Sequence, residues 1–196
     1  MLFFFAVLFV PAALAAKCCG PSKFSGVMHM VGATIRPDGT PNIFDYDMKL
    51  SYDYDLKMAR TDMMIAGRQQ MSLIDYNNNV TYSVYDGFCT KNSSFIEAQS
   101  PCVPDEAQFA GSQVMGSANA SLAVDTWRLT TSDLVMKITV TKDTCTIVQE
   151  SMYGNINGEQ GESTYIFSDL TEGALANGVF NVPPECRYHQ TAPLVG

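Results

Sequence analysis

From Phe44 to Met58 apolar and polar residues alternate. Phe44, Tyr46, Met48, Leu50, Tyr52, Tyr54, Leu56 and Met58 share one parity, while Asp45, Asp47, Lys49, Ser51, Asp53, Asp55 and Lys57 hold the other. Side chains alternate across a strand, so the segment has one greasy face and one wet, acidic face. Fully extended it would reach roughly 50 Å at the usual strand rise, too long for one straight strand in a domain of this size. It therefore predicts a hairpin turning near Asp53 to Asp55. The apolar parity is kept across that turn, so a loop with an odd number of residues is expected.

Much of the remaining chain has the same period. Phe24 to Ile35 is a first strand, closed by the turn signal Arg36-Pro37-Asp38-Gly39-Thr40-Pro41. Met71 to Tyr76 and Val80 to Tyr85 form a hairpin about Asn77-Asn78-Asn79. Leu122 to Leu129, Leu134 to Thr141, Cys145 to Tyr153 and Thr164 to Asp169 are further strands. Thr90 to Gln113 is irregular, and within it Pro104 to Gly111 is the best short helix, opened by proline and ended by glycine. The fold class expected is mostly β, with one or two short helices. An antiparallel sheet with one large apolar face and little to cover it must curve over itself, and such a curve leaves room for an apolar cavity. That face is rich in Tyr and Met, which suit a pocket with apolar walls and a few polar tips. An ordinary filled core would use the same residues.

Composition narrows the function classes. The chain has 196 residues, enough for a single domain, with 46% hydrophobic and 16% charged residues and a formal net charge of −8. An acidic chain without a basic stripe is a poor partner for nucleic acid. Leu2 to Ala16 is a continuous apolar run, shorter than the about 20 residues that span a bilayer. It ends in small residues suited to cleavage, although no Lys or Arg precedes it. Residues 1–16 are read as a signal peptide and 17–196 as one β domain. No later segment is apolar enough to cross a membrane, so a secreted product in the extracellular space or a lumen is expected. Asn79, Asn92 and Asn119 each open an N-glycosylation sequon. Cys18, Cys19, Cys89, Cys102, Cys145 and Cys186 are even in number and widely spread, which in an oxidising compartment reads as three disulfides with 15 connectivities. No Cys-x-x-Cys pair or nearby histidine supports zinc. No motif of a hydrolase, nucleotide-binding enzyme or metalloprotease is present, and His29 and His189 stand in no catalytic setting. The chain is therefore read as non-enzymatic, with no required cofactor. Asp45, Asp47, Asp53 and Asp55 are candidate calcium ligands, with Asp62 or Asp75 as further candidates, since calcium takes several oxygen ligands. A solvated strand face balanced by Lys49 and Lys57 is the plainer account.

Several stretches resemble the ependymin family of secreted glycoproteins. Cys18-Cys19-Gly20-Pro21-Ser22-Lys23-Phe24-Ser25-Gly26 is similar to that family's Cys-x-x-Pro-x-x-aromatic-x-Gly opening. Ser51-Tyr52-Asp53 resembles its first hairpin turn. Trp127, Thr139-Val140-Thr141-Lys142-Asp143-Thr144-Cys145 and Val148-Gln149-Glu150 resemble the core of its second half. Phe180-Asn181-Val182-Pro183-Pro184-Glu185-Cys186 is similar to its Phe-x-x-Pro-x-x-Cys ending. The resemblance implies a curved antiparallel half-barrel like that of bacterial lipoprotein carriers, folded over a deep apolar cavity, often as a homodimer. It implies secretion or lysosomal delivery, a fatty acyl or other lipid ligand, optional calcium, and no catalysis. It implies the pairs Cys18 with Cys145 and Cys89 with Cys186, leaving Cys19 with Cys102. Alternation and resemblance together nominate Phe44, Tyr46, Met48, Leu50, Val80, Tyr82, Val84, Met136, Ile138 and Phe167 as cavity wall. The competing function is a calcium-binding extracellular matrix or cell-adhesion protein acting through its acidic face and glycans.

Overall fold

The structure, a computed structural model, describes residues 18–93, 98, 100–117, 119–156 and 158–187. The leader at 1–16 and His189 lie outside the described residues. The strands are β1 (Lys23–Ile35), β2 (Pro41–Asp53), β3 (Met58–Ile65), β4 (Arg68–Asp75), β5 (Val80–Tyr85), β6 (Phe88–Ser93), β7 (Gln108–Ser117), β8 (Ala120–Thr130), β9 (Leu134–Thr141), β10 (Ile147–Ile156) and β11 (Glu159–Glu172). A four-residue helix, α1 (Pro184–Arg187), follows. All eleven strands form one antiparallel sheet in the order β6-β5-β4-β3-β2-β1-β11-β10-β9-β8-β7. It consists of two meanders, β1 to β6 and β7 to β11, joined along a seam where β1 pairs with β11.

Local chemistry sets most of the turns. Ala66-Gly67 and Asp86-Gly87 each place two residues at positive φ, which matches the twist of flanking strands in a two-residue hairpin. The β2–β3 loop departs from expectation. It holds four residues, Tyr54 to Lys57, and pairs Asp53 with Met58. The Asp53 carboxylate accepts the Leu56 N–H at 2.8 Å, and Lys57 takes the left-handed conformation. An even loop swaps parity, so Met58 turns to the other face and Ala59 takes the apolar side. The helix expected over Pro104 to Gly111 is also absent. The segment makes a turn, then joins β7 from Gln108 onward, where pairing with β8 outweighs a weak local helix signal.

The connection between the two edge strands leaves little slack for a flat sheet. A flat sheet of eleven strands would be about 48 Å wide at the usual spacing. The edge strands β6 and β7 are consecutive in sequence, joined by residues 94–107. Fourteen residues reach at most about 50 Å when fully extended. This connection is not free to extend, because it is fastened near the seam. Gly20 N–H donates to Pro101 O and Val103 N–H to Cys18 O, both at 2.8 Å, and Cys19 is bridged to Cys102. Ser100 to Asp105 of this connection lie over the concave side of a curved sheet. Strand irregularities at Ser25/Val27, Ile147/Gln149 and Phe109/Gly111 supply local bends. Gly32 lets β1, β2 and β11 approach closely, since a Cβ there would meet the Glu162 carbonyl and the Phe44 ring.

Registers divide the side chains between two faces. The concave face carries Phe24, Met48, Leu50, Tyr52 and Ala59 from the first meander, all buried. Phe24, Leu50, Tyr52 and Ala59 form a packed cluster with Met28, Tyr54, Ile74, Tyr76, Phe167 and Leu170 against it. Tyr52 and Tyr54 lie 4.2 Å apart between ring centroids. This half of the concavity is filled by its own aromatic side chains. The convex face holds His29, Asp45 and Asp47 in the middle. Toward β4 to β6 it is covered by the C-terminal segment, anchored by Cys89–Cys186 and by Arg60 donating to Val179 O at 3.1 Å.

Candidate functional site: a lidded apolar cavity

The other half of the concave face is hollow. A cavity of about 460 Å³ lies between β8 to β10 and Ser100 to Asp105, within the range of small-molecule sites. Its floor is Leu129, Met136, Ile138 and Val140, with Phe24, Tyr54 and Leu170 at the filled side. Its roof is Ser100 to Asp105, with Gly20 and Pro21 beside it. Two disulfides hold the roof in place. Cys19–Cys102 ties it to the N-terminal tether, and Cys18–Cys145 ties that tether to the β9–β10 turn. Cys18–Cys145 and Cys89–Cys186 are the pairings the resemblance implies, and Cys19–Cys102 is the pair it leaves over. A second hollow of about 630 Å³ lies on the convex face under the C-terminal segment. It is larger, but Arg60, Asp86, Asn181, Glu185 and Arg187 wall it, so it lacks the chemistry of an apolar site.

The nominated wall residues divide into three groups. Met136 and Ile138 line the cavity. Phe44, Tyr46, Met48, Leu50 and Phe167 share the concave face without lining it, since Met48 and Leu50 are buried and Phe167 packs on the filled cluster. Val80, Tyr82 and Val84 lie on the opposite face. Tyr82 pairs with Leu73, Leu73 with Arg60 and Arg60 with Ser51, and Ser51 alternates with Leu50 and Tyr52. The parity change at the β2–β3 loop carries β5's apolar row to the convex side, where Val84 lines the polar hollow.

Sequence reasoning missed Glu150. Across the concave face runs one register row: Tyr46, Met30, Tyr165, Glu150, Ile138, Trp127, Phe109. Trp127 and Phe109 meet edge to face at 5.2 Å. Glu150 is the only charged residue in that row, and it lines the cavity. Among the described residues it has no hydrogen-bond or ion-pair partner. Burial pushes its carboxyl above the ordinary value. Burial, with Tyr52 and Glu150 adding to it, pushes the Tyr54 hydroxyl up to about 12. A readable signal was present, because Glu150 shares parity with Met152 in a strand.

The candidate calcium ligands do not converge. Asp47 lies within hydrogen-bond distance of His29 Nδ1, at 2.7 Å, and Asp45 lies 3.6 Å from His29 Nε2. Asp53 is buried at the β2–β3 turn and Asp55 is exposed in it. Six positions of strand separate Asp47 from Asp53, on the order of 20 Å. Among the described residues no three His, Cys, Asp or Glu side chains are grouped to hold a metal ion, so these four aspartates do not fit one calcium site. Asn79, Asn92 and Asn119 are all exposed. Among the described residues no helix is long and apolar enough to cross a membrane.

Fold and site define a class: a disulfide-stapled β-protein whose bent antiparallel sheet and tethered roof enclose an apolar cavity. The family model described as Ependymin matches residues 66–186, from the β3–β4 turn to α1, and the chain belongs to the ependymin family. An uncharacterized conserved protein from Thermus thermophilus shares the fold at 5% identity, with a TM-score of 0.52 over 84% of this chain and 86% of that one. A LolA superfamily protein from Nitrosomonas europaea is a looser likeness at 12% identity and a TM-score of 0.39, over 83% of this chain and 91% of that one. A search of curated protein sequences finds no match.

Proposed function

We propose that this chain is a secreted, non-catalytic glycoprotein that binds a lipid or similar hydrophobic ligand in the cavity under the Ser100 to Asp105 roof. The observation that carries the reading is an apolar hollow of about 460 Å³ with a roof held by two disulfides. A chain relying only on its core would be expected to fill this half of the sheet as it fills the other, because unfilled apolar space costs stability. Three disulfides fit an oxidising compartment, and exposed sequon asparagines fit glycosylation on the way out of the cell.

The test is recovery of ligand from protein purified from the medium of secreting cells, by native mass spectrometry followed by organic extraction. Stoichiometric amphiphile is expected, and Ile138→Asp should release it while leaving the circular dichroism spectrum intact. Protein that yields no extractable ligand, and that takes up no apolar fluorescent probe, is not a carrier.

A further inference from the structure

The cavity's charged lining is one-sided. Glu150 stands at its floor without a partner among the described residues, Asp105 at its roof has an interaction of its own, and no Lys, Arg or His of the described residues lines the cavity. Glu150 sits mid-sheet, with Tyr165 beside it on β11 and Ile138 on β9. No serine, threonine or amide of the described residues hydrogen-bonds its carboxylate. A half-buried carboxylate without a partner in an apolar cavity is a costly arrangement that a ligand cation would relieve. An anionic head, whether carboxylate or phosphate, would instead bring a second negative charge into a low-dielectric space whose described lining offers it no counter-charge.

We propose that this cavity selects amphiphiles with an amine head, the ammonium pairing with the Glu150 carboxylate and the chain lying along Ile138, Met136 and Leu129. The inference rests on the hydrophobic-ligand reading above and names the class of ligand for that site. Such a pair is a charge-assisted hydrogen bond, stronger than a neutral one. Burial of Glu150 raises its carboxyl pKa in the empty protein, so amine binding should weaken as pH falls and the carboxylate takes up a proton. The other titratable groups facing it are Tyr54 and Tyr165, with Asp105 across the cavity. Both tyrosines have raised pKa values and stay neutral throughout.

The experiment is calorimetric titration of the full disulfide-bonded protein with dodecylamine, dodecanol and dodecanoate, all below their micelle concentrations, near neutral pH. Dodecylamine should bind at least about tenfold more tightly than dodecanoate, as expected where one head is paired and the other repelled. Glu150→Gln, an isosteric change that keeps the strand's shape, should bring the two within about twofold. On the unmutated protein the amine's affinity should fall on acidification while dodecanol's stays level, a readout independent of the variant's folding. Dodecanoate binding as tightly as dodecylamine, or an amine preference untouched by Glu150→Gln, overturns the head-group assignment. Equal binding of all three overturns it too, yet leaves the hydrophobic carrier intact. Binding of none removes both.

Discussion

Consider the double substitution Cys19→Ser/Cys102→Ser, which unfastens the cavity roof. The bridge closes 83 positions of chain. Cys18, its neighbour, is itself bridged to Cys145. With that second bridge intact, Cys19 and Cys102 remain joined by a shorter path: 145 − 102 = 43 positions, plus the single step from Cys18 to Cys19, or 44. In the chain-entropy model the loss is then about 4.0 kcal/mol instead of the about 4.6 kcal/mol expected of an isolated bridge. Domains are stable by about 5–15 kcal/mol, so the variant should fold but with little reserve. Trp127 is the single tryptophan and packs against Phe109, so its fluorescence reports unfolding. With a urea slope of about 2–3 kcal/mol/M, the midpoint should drop by about 1.3 to 2 M. Under conditions where the variant is still folded, it should also bind an apolar probe more weakly, because Ser100 to Asp105 no longer has a fixed place above Met136 and Ile138. A midpoint displaced by less than about 0.3 M at unchanged slope, together with undiminished probe binding, would refute the idea that this staple organises the site.

Other consequences are as direct. Glu150 has a higher pKa folded than unfolded, so the folded chain holds the proton longer and the group's favourable share is present at low pH and lost as pH rises through the folded pKa. Glu150→Gln should therefore raise the thermal midpoint near neutral pH and have a diminishing effect toward acid, as calorimetric scans across pH would show. Affinity for straight-chain amphiphiles should improve about fourfold per methylene, from about 0.8 kcal/mol each. The gain should stop near about 15 carbons if each methylene takes a water-like volume of about 30 Å³ in the 460 Å³ cavity; a series that keeps gaining well past that length means the chain lies elsewhere. Leu73 is 1% exposed, and Leu73→Ala should cost about 2–5 kcal/mol in chemical denaturation. Asn79→Gln, Asn92→Gln and Asn119→Gln should each remove one glycan's mass from protein made in secreting cells.

The alternation in β2, β4, β5 and β9 was legible because a period of two is a property of the strand itself. Which face of the sheet each row joins was not, since that depends on every turn between. One four-residue loop after Asp53 reversed the parity and sent Val80, Tyr82 and Val84 to the far side. Thr90 to Ser93 reads as irregular because the run is polar, yet it belongs to β6, an edge strand whose partner lies on one side only. Pro104 with two acids imitates a helix start, and nothing local reveals that β8 is waiting for Gln108. Met136 and Ile138 were found because they lie on a strand with clean alternation. The division of the concavity into a filled half and a hollow half was not legible, because it is set by where Ser100 to Asp105 lie, a matter of topology.

The seam between β1 and β11 joins the first strand to the last. Each meander is built from neighbours in sequence and can zip quickly, but the halves can unite only once the final strand exists. Closing that junction brings together residues such as Met28 and Phe167, a separation of the kind that slows folding. Until then both wings present a bare strand edge to any passing β-rich chain. This architecture makes completion of the last strand the step at which a newly made molecule hides its two inner edges and leaves only β6 and β7 bare.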